Sequence, residues 1–332
     1  MNTNKTVLIT GISGFVGSWL ADYIIENHPD VEILGLVRWR SPKNNIEHIL
    51  DKITLLCGDL IDTNSLMSIL SEHRPDVIFH LAAQSYVPFS YKAPIATLNT
   101  NVIGTANLLE EIKSLKLSSG YDPIVHICSS SEVYGQVKED EVPIKETNPF
   151  RPASPYAVSK VGEDMLALQY WLSWKIKTIR TRMFTHTGAR RGEVFATSTF
   201  AKQIAAIEAG KQSPIVKVGN LDSIRTFLDV KDAVRAYWML INKPCTFGDV
   251  YNIGGIETMT VGEMLNKLIA LSSRKDIKIE IDPDRLRPSD VTLQIPCIDK
   301  FVNETGWKPE IPFDKTLEDL LDFWRNYYRI NR

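Results

Sequence analysis

The chain has 332 residues, of which 44% are hydrophobic, enough for one large domain or two modest ones with a substantial core. Its formal net charge of -2 gives no electrostatic reason to expect nucleic acid or an anionic membrane as a partner, and no stretch reaches the roughly 18 consecutive apolar residues that span a bilayer. The N-terminus lacks a signal-peptide pattern and the four cysteines lack metal-ligand spacing, so we expect a cytoplasmic protein with buried, reduced thiols and no metal site.

A strand followed by a glycine turn opens the chain. Thr6 to Thr10 is a short β-branched run, and Gly11, Gly14 and Gly17 come directly after it, before apolar residues at helical spacing. This order predicts a nucleotide site, because glycines let the backbone approach a pyrophosphate and a helix N-terminus offers unpaired N–H groups. A tight turn without a ligand is the alternative interpretation of the glycines alone.

The next two strands carry the features that distinguish cofactors. Ile33 to Val37 ends in Arg38, where an acidic residue would instead accept hydrogen bonds from ribose hydroxyls. An arginine can pair with a 2′-phosphate, so NADP is favoured over NAD, and a solvated basic turn is the alternative. Ile53 to Cys57 precedes Asp59, which could bond an adenine amino group or form an Asx turn, and the two roles are compatible.

Three further strands complete the pattern of a parallel sheet. They are expected at Val77 to Leu81, where His80 is a packed strand residue rather than a catalyst, at Ile124 to Cys128, and at Ile179 to Met183. A helix from Asn99 to Lys113 should pack on the sheet. Alternation of strands and helices over this length predicts an α/β fold with a doubly wound parallel sheet, whose carboxyl edge binds ligands.

A tyrosine and a lysine in the middle of the chain form a candidate catalytic pair. Tyr156 and Lys160 are four residues apart on a predicted helix and so share one face. The ammonium would favour the ionised phenol, which could then act as a base. Ser130 could hold the same substrate oxygen, and the carboxylate of Glu132 could remove a second proton.

The remainder of the chain is less regular and rich in cationic loops. Separated arginines on loops suit a diphosphate, because their planar groups bind oxygens bidentately. Asp229 marks a helix start, the turn around Trp307 should cover apolar surface, and Leu317 to Tyr328 should form a final helix. We therefore expect a dinucleotide-binding Rossmann domain at 1–184 and a smaller mixed α/β substrate lobe at 185–332, with some crossing of the chain between them.

Five motifs together resemble the nucleotide-sugar branch of the extended short-chain dehydrogenases/reductases. They are Gly11-x-x-Gly14-x-x-Gly17, Leu81-Ala82-Ala83, Asn101-Val-Ile-Gly104-Thr105, Ser129-Ser-Ser-Glu-Val-Tyr-Gly135 and Tyr156-x-x-x-Lys160. Within that branch the chain is most similar to the GDP-mannose 4,6-dehydratases and the related GDP-4-keto-6-deoxymannose reductases. Thr185 departs from the pattern, because an asparagine usually precedes the histidine there.

The resemblance implies a role for each matching position. The catalytic residues would be Ser130, Glu132, Tyr156 and Lys160. NADP would be bound by Gly11, Gly14, Phe15, Val16, Gly17, Arg38, Asp59, Leu60, Leu81, Ala82, Ala83, Tyr156, Lys160 and His186. The nucleotide sugar would be bound by Ser85, Thr185, Arg191, Asn220, Arg225 and Arg287.

The activity that the resemblance implies is a 4,6-dehydration of GDP-mannose through transient oxidation at C4 by bound NADP. Three alternatives stay open: an NADPH-dependent GDP-4-keto-6-deoxymannose reductase, a dehydratase of another GDP-sugar such as a GDP-heptose, and a non-catalytic NADP-binding regulator. The resemblance also implies a homodimer or homotetramer and a GDP-linked sugar as the partner.

Overall fold

The computed structural model describes residues 5–243, 245–286 and 291–330. Strands and helices alternate along the first half of the chain, as the sequence predicts. In chain order they are β1 (Thr6–Thr10), α1 (Phe15–Asn27), β2 (Glu32–Val37), β3 (Thr54–Cys57), α2 (Thr63–His73), β4 (Val77–His80), α3 (Val87–Lys92), α4 (Pro94–Leu98), α5 (Gly104–Ser119), β5 (Ile124–Ser130), α6 (Pro155–Trp174) and β6 (Lys177–Met183).

The second half contains shorter strands between its helices. They are β7 (His186–Thr187), α7 (Ala196–Glu208), β8 (Ile215–Val218), β9 (Ile224–Thr226), β10 (Leu228–Asp229), α8 (Val230–Asn242), β11 (Val250–Ile253), β12 (Thr258–Thr260), α9 (Val261–Ala270), β13 (Lys278–Ile281), β14 (Leu293–Gln294), α10 (Asp299–Thr305) and α11 (Phe313–Ile330).

Seven parallel strands form the central sheet, in the order β11-β6-β5-β4-β1-β2-β3. The chain winds outward from β1 in one direction through β2 and β3, and in the other through β4, β5 and β6. The strand order therefore reverses between β1 and β4, which is where a doubly wound sheet opens a ligand crevice at its carboxyl edge. The predicted fold is confirmed, and β11 joins the sheet from beyond residue 184.

Both faces of the sheet are covered, which explains why β1, β2 and β4 are almost entirely apolar, whereas β6 buries Arg180 and Arg182 as ion pairs with Asp164. Val7 and Ile9 pack towards the α1 and α8 side, whereas Leu8 packs towards α2, α5 and α6. All three are essentially inaccessible. Burying such a side chain contributes about 1.5–3 kcal/mol, so the sheet is a rigid support for whatever its carboxyl edge carries.

A separate apolar cluster stabilises the second half of the chain. It is built from α7, α9 and α11 around β8 and includes Phe200, Met264 and Leu317. Small sheets flank it, with β13 beside β8 and β9 between β12 and β14. The division of the chain into domains at residue 184 stays a prediction.

Several local expectations need adjustment. The helix predicted from Asn99 starts as one π-helical turn, Asn99–Ile103, and continues as α5. The prediction of buried thiols is wrong for Cys57, which is exposed because it ends the edge strand β3, and the other three free cysteines are only partly buried. Among the described residues, none of the helices combines the length and the apolar character that a bilayer crossing needs.

Candidate active site

A cleft of about 1320 Å³ opens at the carboxyl edge of the sheet and continues into the second half of the chain. It brings together all the predicted site residues that the structure describes. From the first half of the chain these are Gly11, Gly14, Phe15, Val16, Gly17, Arg38, Asp59, Leu60, Leu81, Ala82, Ala83, Ser85, Ser130, Glu132, Tyr156 and Lys160. From the second half they are Thr185, His186, Arg191, Asn220 and Arg225. Arg287 lies outside the described residues.

The glycine turn joins β1 to α1 in a space too small for side chains. Gly11 has φ +72°, and the N–H of Gly14 donates to its carbonyl at 2.9 Å. A Cβ on Gly17 would lie 2.4 Å from that same carbonyl oxygen. The close approach lets α1 begin directly at the cleft, with Gly14 as an N-cap that has no capping side chain. The first N–H groups of α1 are therefore available to an anion.

Arg38 and Asp59 stand where β2 and β3 reach the cleft. Arg38 is exposed directly after β2, and its backbone N–H donates to the Ser41 hydroxyl at 3.1 Å. Asp59 accepts from the N–H of Ile61 at 3.1 Å, which is the Asx-turn geometry that the sequence allows. The guanidinium remains on the solvent side of the cleft, where a phosphate could reach it.

Helix α6 starts in a way that directs Tyr156 and Lys160 towards the end of β5. Ser154 caps the helix by accepting from the N–H of Ala157 at 3.0 Å, and Pro155 occupies the first helical position. The Lys160 ammonium lies 6.0 Å from the Tyr156 ring centroid and donates to the carbonyl oxygen of Cys128 at 2.9 Å. Tyr156 and Lys160 are both buried, and each lines the cleft.

The sequence predicts that the Lys160 ammonium favours the ionised phenol of Tyr156, but in the structure burial has the larger effect on the pKa of that phenol. Burial raises the pKa of Tyr156, and the Lys160 charge and a hydrogen bond with Ser130 lower it without cancelling that increase. Burial alone would lower the pKa of Lys160, but the charge and hydrogen bond of Glu163, together with Tyr156 and Cys128, outweigh the burial and raise it. The Lys160 ammonium therefore stays protonated, and it interacts with the Glu163 carboxylate as well as with the Tyr156 phenol.

Glu132 is positioned by residues that follow it in the same motif. It lies in a short 3₁₀ turn, Ser131–Val133, and its backbone N–H donates to the Ser130 hydroxyl at 3.2 Å. Tyr134 donates from its buried hydroxyl to Asn252 of β11 at 2.7 Å. Gly135 has φ +54°, and a Cβ there would lie 1.6 Å from the carbonyl oxygen of Arg151. The tyrosine and glycine therefore fix the turn that presents Glu132 to the cleft.

His186 and Arg191 place unpaired polar atoms in the buried part of the cleft. His186 donates from Nδ1 to the Phe184 carbonyl at 3.0 Å, so its neutral ring presents Nε2 as an acceptor. Nε2 and the Nε of Arg191 are buried without a hydrogen-bond partner in the described part of the chain. Burial lowers the pKa of His186 to about 3 and that of Arg191 to about 10. The acceptor of His186 fits a dinucleotide, which carries amide N–H groups, and the buried Arg191 cation fits the phosphate oxygens of the predicted nucleotide sugar.

The predicted sugar-side residues line the more open part of the cleft. Ser85 is exposed on the loop after β4, and Thr185 follows β6. Asn220 accepts from the N–H of Asp222 at 2.9 Å, and Arg225 donates to the Val291 carbonyl at 3.0 Å. These contacts orient the amide and the guanidinium.

Three residues in this region were missed by the sequence predictions. Tyr86 and Phe195 line the cleft as an edge-to-face pair with centroids 6.1 Å apart, and the Arg191 guanidinium lies 4.0 Å from the Phe195 centroid. No local pattern connects positions so far apart in the chain.

The third is Glu163, whose carboxylate binds Lys160. Its position three residues after the lysine on a helix is the signal that could have identified it.

Comparison with known proteins gives matches along nearly the whole chain. A model of the GDP-mannose 4,6 dehydratase family matches residues 8–320. The GDP-6-deoxy-D-mannose reductase of Pseudomonas aeruginosa is 32% identical over 98% of this chain and 99% of its own length. A GDP-mannose 4,6-dehydratase of Vibrio cholerae is 32% identical over 96% of this chain and 92% of its own length. The structure of RMD from Pseudomonas aeruginosa complexed with NADPH has a TM-score of 0.82 at 31% identity, covering 98% of this chain and 100% of that one.

Proposed function

Because the chain belongs to the GDP-mannose 4,6-dehydratase family, we propose that it converts GDP-mannose into GDP-4-keto-6-deoxymannose and water, with NADP as a bound cofactor. The observation that carries the proposal is the carboxylate of Glu132 in the same cleft as Ser130, Tyr156 and Lys160. Oxidation of a sugar hydroxyl requires one base, and elimination of water from the neighbouring carbons requires another.

The cofactor supplies a hydride acceptor for C4 of the sugar and a hydride donor for C6. Its pyrophosphate would be held by the glycine turn at Gly11 and the start of α1, and a 2′-phosphate by Arg38. NADPH in the related RMD structure supports NADP over NAD. Lys160 would hold the nicotinamide ribose in addition to its contact with Cys128.

The side chains of this chain divide the proton transfers between them. Tyr156 takes the proton of the 4-hydroxyl in its ionised form, which burial disfavours and the Lys160 charge favours. Ser130 holds the oxygen as it becomes a ketone. That ketone acidifies the C5 proton, which Glu132 removes, and the C6 hydroxyl leaves with a proton as water. C5 regains a proton at the end, so the conversion takes up no net proton and consumes no reducing equivalent.

A second candidate is an NADPH-dependent GDP-4-keto-6-deoxymannose reductase, favoured by the similarity to the GDP-6-deoxy-D-mannose reductase. Ser130, Tyr156 and Lys160 suffice for that single hydride transfer. A GDP-heptose dehydratase and a non-catalytic NADP-binding regulator are the remaining alternatives, and a cytoplasmic homodimer or homotetramer stays a prediction.

Two incubations separate these functions. Purified protein is mixed with GDP-mannose without added cofactor, and the products are identified by mass spectrometry. A 4-keto-6-deoxy product without net NADPH consumption supports the dehydratase. No product from GDP-mannose, but NADPH oxidation with the 4-keto compound, identifies the reductase, and failure of both leaves the regulator or another sugar.

Replacing Glu132 tests its role as the second base. Glu132→Gln should abolish dehydration and spare the C4 oxidation, which is visible in a single turnover as NADPH absorbance that rises and persists. Glu139→Gln is the matched control, because Glu139 is an exposed glutamate in the turn Glu139–Glu141 outside the cleft. Equal loss of both steps in Glu132→Gln would contradict the proposed role.

A further inference from the structure

A second carboxylate is buried against the candidate catalytic lysine. The Lys160 ammonium donates to Glu163 Oε2 at 2.8 Å and to the Cys128 carbonyl at 2.9 Å. The side chains of Lys160 and Glu163 are 6% and 1% exposed. The other carboxylate oxygen, Oε1, has no hydrogen-bond partner among the described residues. A buried carboxylate with one unsatisfied oxygen is costly, so this pair needs an explanation beyond ordinary packing.

The adjacent acid on the same helix has a different, structural task. Asp164 accepts from Arg180 at 2.7 Å and from Arg182 at 2.9 and 3.2 Å, which ties α6 to β6. Its two oxygens are fully used by these arginines. Within the described part of the chain, Glu163 instead pairs with the lysine on its own helix. Asp164 therefore stabilises the packing of α6 on β6, whereas Glu163 contacts the candidate catalytic lysine.

The other titratable groups that face this ammonium from the sheet and from α8 are held neutral. Burial lowers the pKa of His80, on β4, to about 3 and that of His126, on β5, also to about 3. Burial raises the pKa of Cys128 on β5 and that of Tyr237 on α8. Burial raises the pKa of Glu163 itself to about 7, although the Lys160 charge and hydrogen bond lower it. Above that pH, with Asp164 paired to its two arginines, Glu163 is the carboxylate that balances the lysine.

We propose that Glu163 is a positioning residue that holds the Lys160 ammonium against the Cys128 carbonyl and limits how strongly that ammonium acts on Tyr156. The first effect is geometric, because two fixed acceptors leave the flexible lysine side chain one orientation. The second is electrostatic, because a negative charge beside the ammonium offsets part of its field at the phenol, and the Glu163 charge contributes to the raised pKa of Tyr156. Glu163 does not line the cleft, so it acts through Lys160.

The electrostatic effect has a definite sign. Removing the Glu163 charge leaves the Lys160 field at Tyr156 uncompensated, so the phenol should ionise at lower pH. The same change removes the anion that raises the pKa of Lys160, so the ammonium should also lose its proton at lower pH. The whole pH window of activity should therefore move down, by about one pH unit for one partly screened charge.

The test compares three variants with the wild type. Glu163→Gln keeps the size and an acceptor oxygen but removes the charge, whereas Glu163→Asp keeps the charge on a shorter side chain. Glu318→Gln is the control, because exposed Glu318 pairs with Lys315 three residues before it on α11, in the same order as Lys160 and Glu163 and outside the cleft. Activity, which rests on the proposed function, is measured as kcat/KM against pH. The ionisation of Tyr156 is followed separately by tyrosinate absorbance, with a Tyr156→Phe protein subtracted, and needs no substrate.

The expected pattern distinguishes positioning from stability. Glu163→Gln should shift both limbs of the pH profile and the Tyr156 titration down by about one unit. Glu163→Asp should restore the wild-type pH window with a lower kcat, and Glu318→Gln should match the wild type. An unshifted or upward-shifted window in a folded Glu163→Gln protein would overturn the proposal, as would unfolding of both Glu163 variants. If wild-type protein does not convert GDP-mannose, the proposed function fails while the tyrosinate titration still decides the role of Glu163.

Discussion

Gly17 offers the sharpest test of how the glycine turn supports cofactor binding. It is the third residue of α1, and a Cβ there would lie 2.4 Å from Gly11 O and 2.8 Å from the Ile12 Cα. Both contacts are backbone atoms, which cannot rotate away as a side chain can. Gly17→Ala must therefore move the start of α1 away from β1, by about 1 Å if the new contact is to reach an ordinary van der Waals distance.

The expected cost to stability is small because two effects oppose each other. Overpacking costs about 1–3 kcal/mol, while alanine is about 1 kcal/mol better than glycine inside a helix. Binding should suffer more, since a shift of this size breaks hydrogen bonds from the N–H groups of α1 to a charged phosphate, each worth about 1.5–3 kcal/mol. We expect NADPH affinity to fall by about 10- to 100-fold.

NADPH fluorescence titration measures the affinity, and thermal unfolding measures the stability. Gly262→Ala is the matched control: Gly262 is the second residue of α9, and the nearest atoms to a new Cβ there belong to Leu221 at 3.5 Å, an ordinary contact. That variant should keep the wild-type affinity and unfold at the same or a higher temperature. Wild-type NADPH affinity in a folded Gly17→Ala protein would refute the reasoning.

Two further predictions concern buried and partly buried charges. Asp164→Asn leaves Arg180 and Arg182 buried beside a neutral amide, so denaturant unfolding should show a loss of about 3–5 kcal/mol, and a loss below 1 would contradict the buried network. Burial would raise the pKa of Glu208, but the Arg325 guanidinium and the Ser272 and Ser273 donors lower it to about 2. A lowered carboxyl pKa contributes stability above the unfolded value, which is lost as pH falls from about 4.5 towards 2. Arg325→Met should flatten that acid dependence, measured by unfolding at several pH values, and an unchanged slope would show that other carboxyls cause it.

The parts of the fold that the sequence predicts are those encoded by local patterns. β-branched and apolar runs identify most of the strands from Thr6 to Met183, because both faces of a parallel sheet are buried. β11 was not predicted, because Asn252 interrupts the short apolar run Val250–Ile253 and its pairing with β6 joins segments about 70 residues apart. Register across such a distance depends on tertiary packing and leaves no periodic trace in the chain.

In the candidate site, too, residues set by a local pattern were predicted and a residue that depends on tertiary packing was missed. Gly11, Gly14 and Gly17 are recognisable because one short turn imposes all three. The contribution of Glu163 requires knowing that α6 packs so tightly on β5 that both charges lose contact with water. Burial, which a local motif does not report, decides whether such a pair is a solvated surface contact or part of the active site.

Burial also limits how far the spacing of Tyr156 and Lys160 alone predicts the pKa of the tyrosine. Four residues on a helix bring Lys160 to Tyr156, and from that alone the lysine should control the phenol. In the folded protein burial raises the pKa of Tyr156, and the Lys160 ammonium interacts with both Tyr156 and Glu163. The basicity available at the sugar hydroxyl is therefore a property of three side chains and the interior around them, so a substitution at Glu163 should retune Tyr156 without touching either member of the motif.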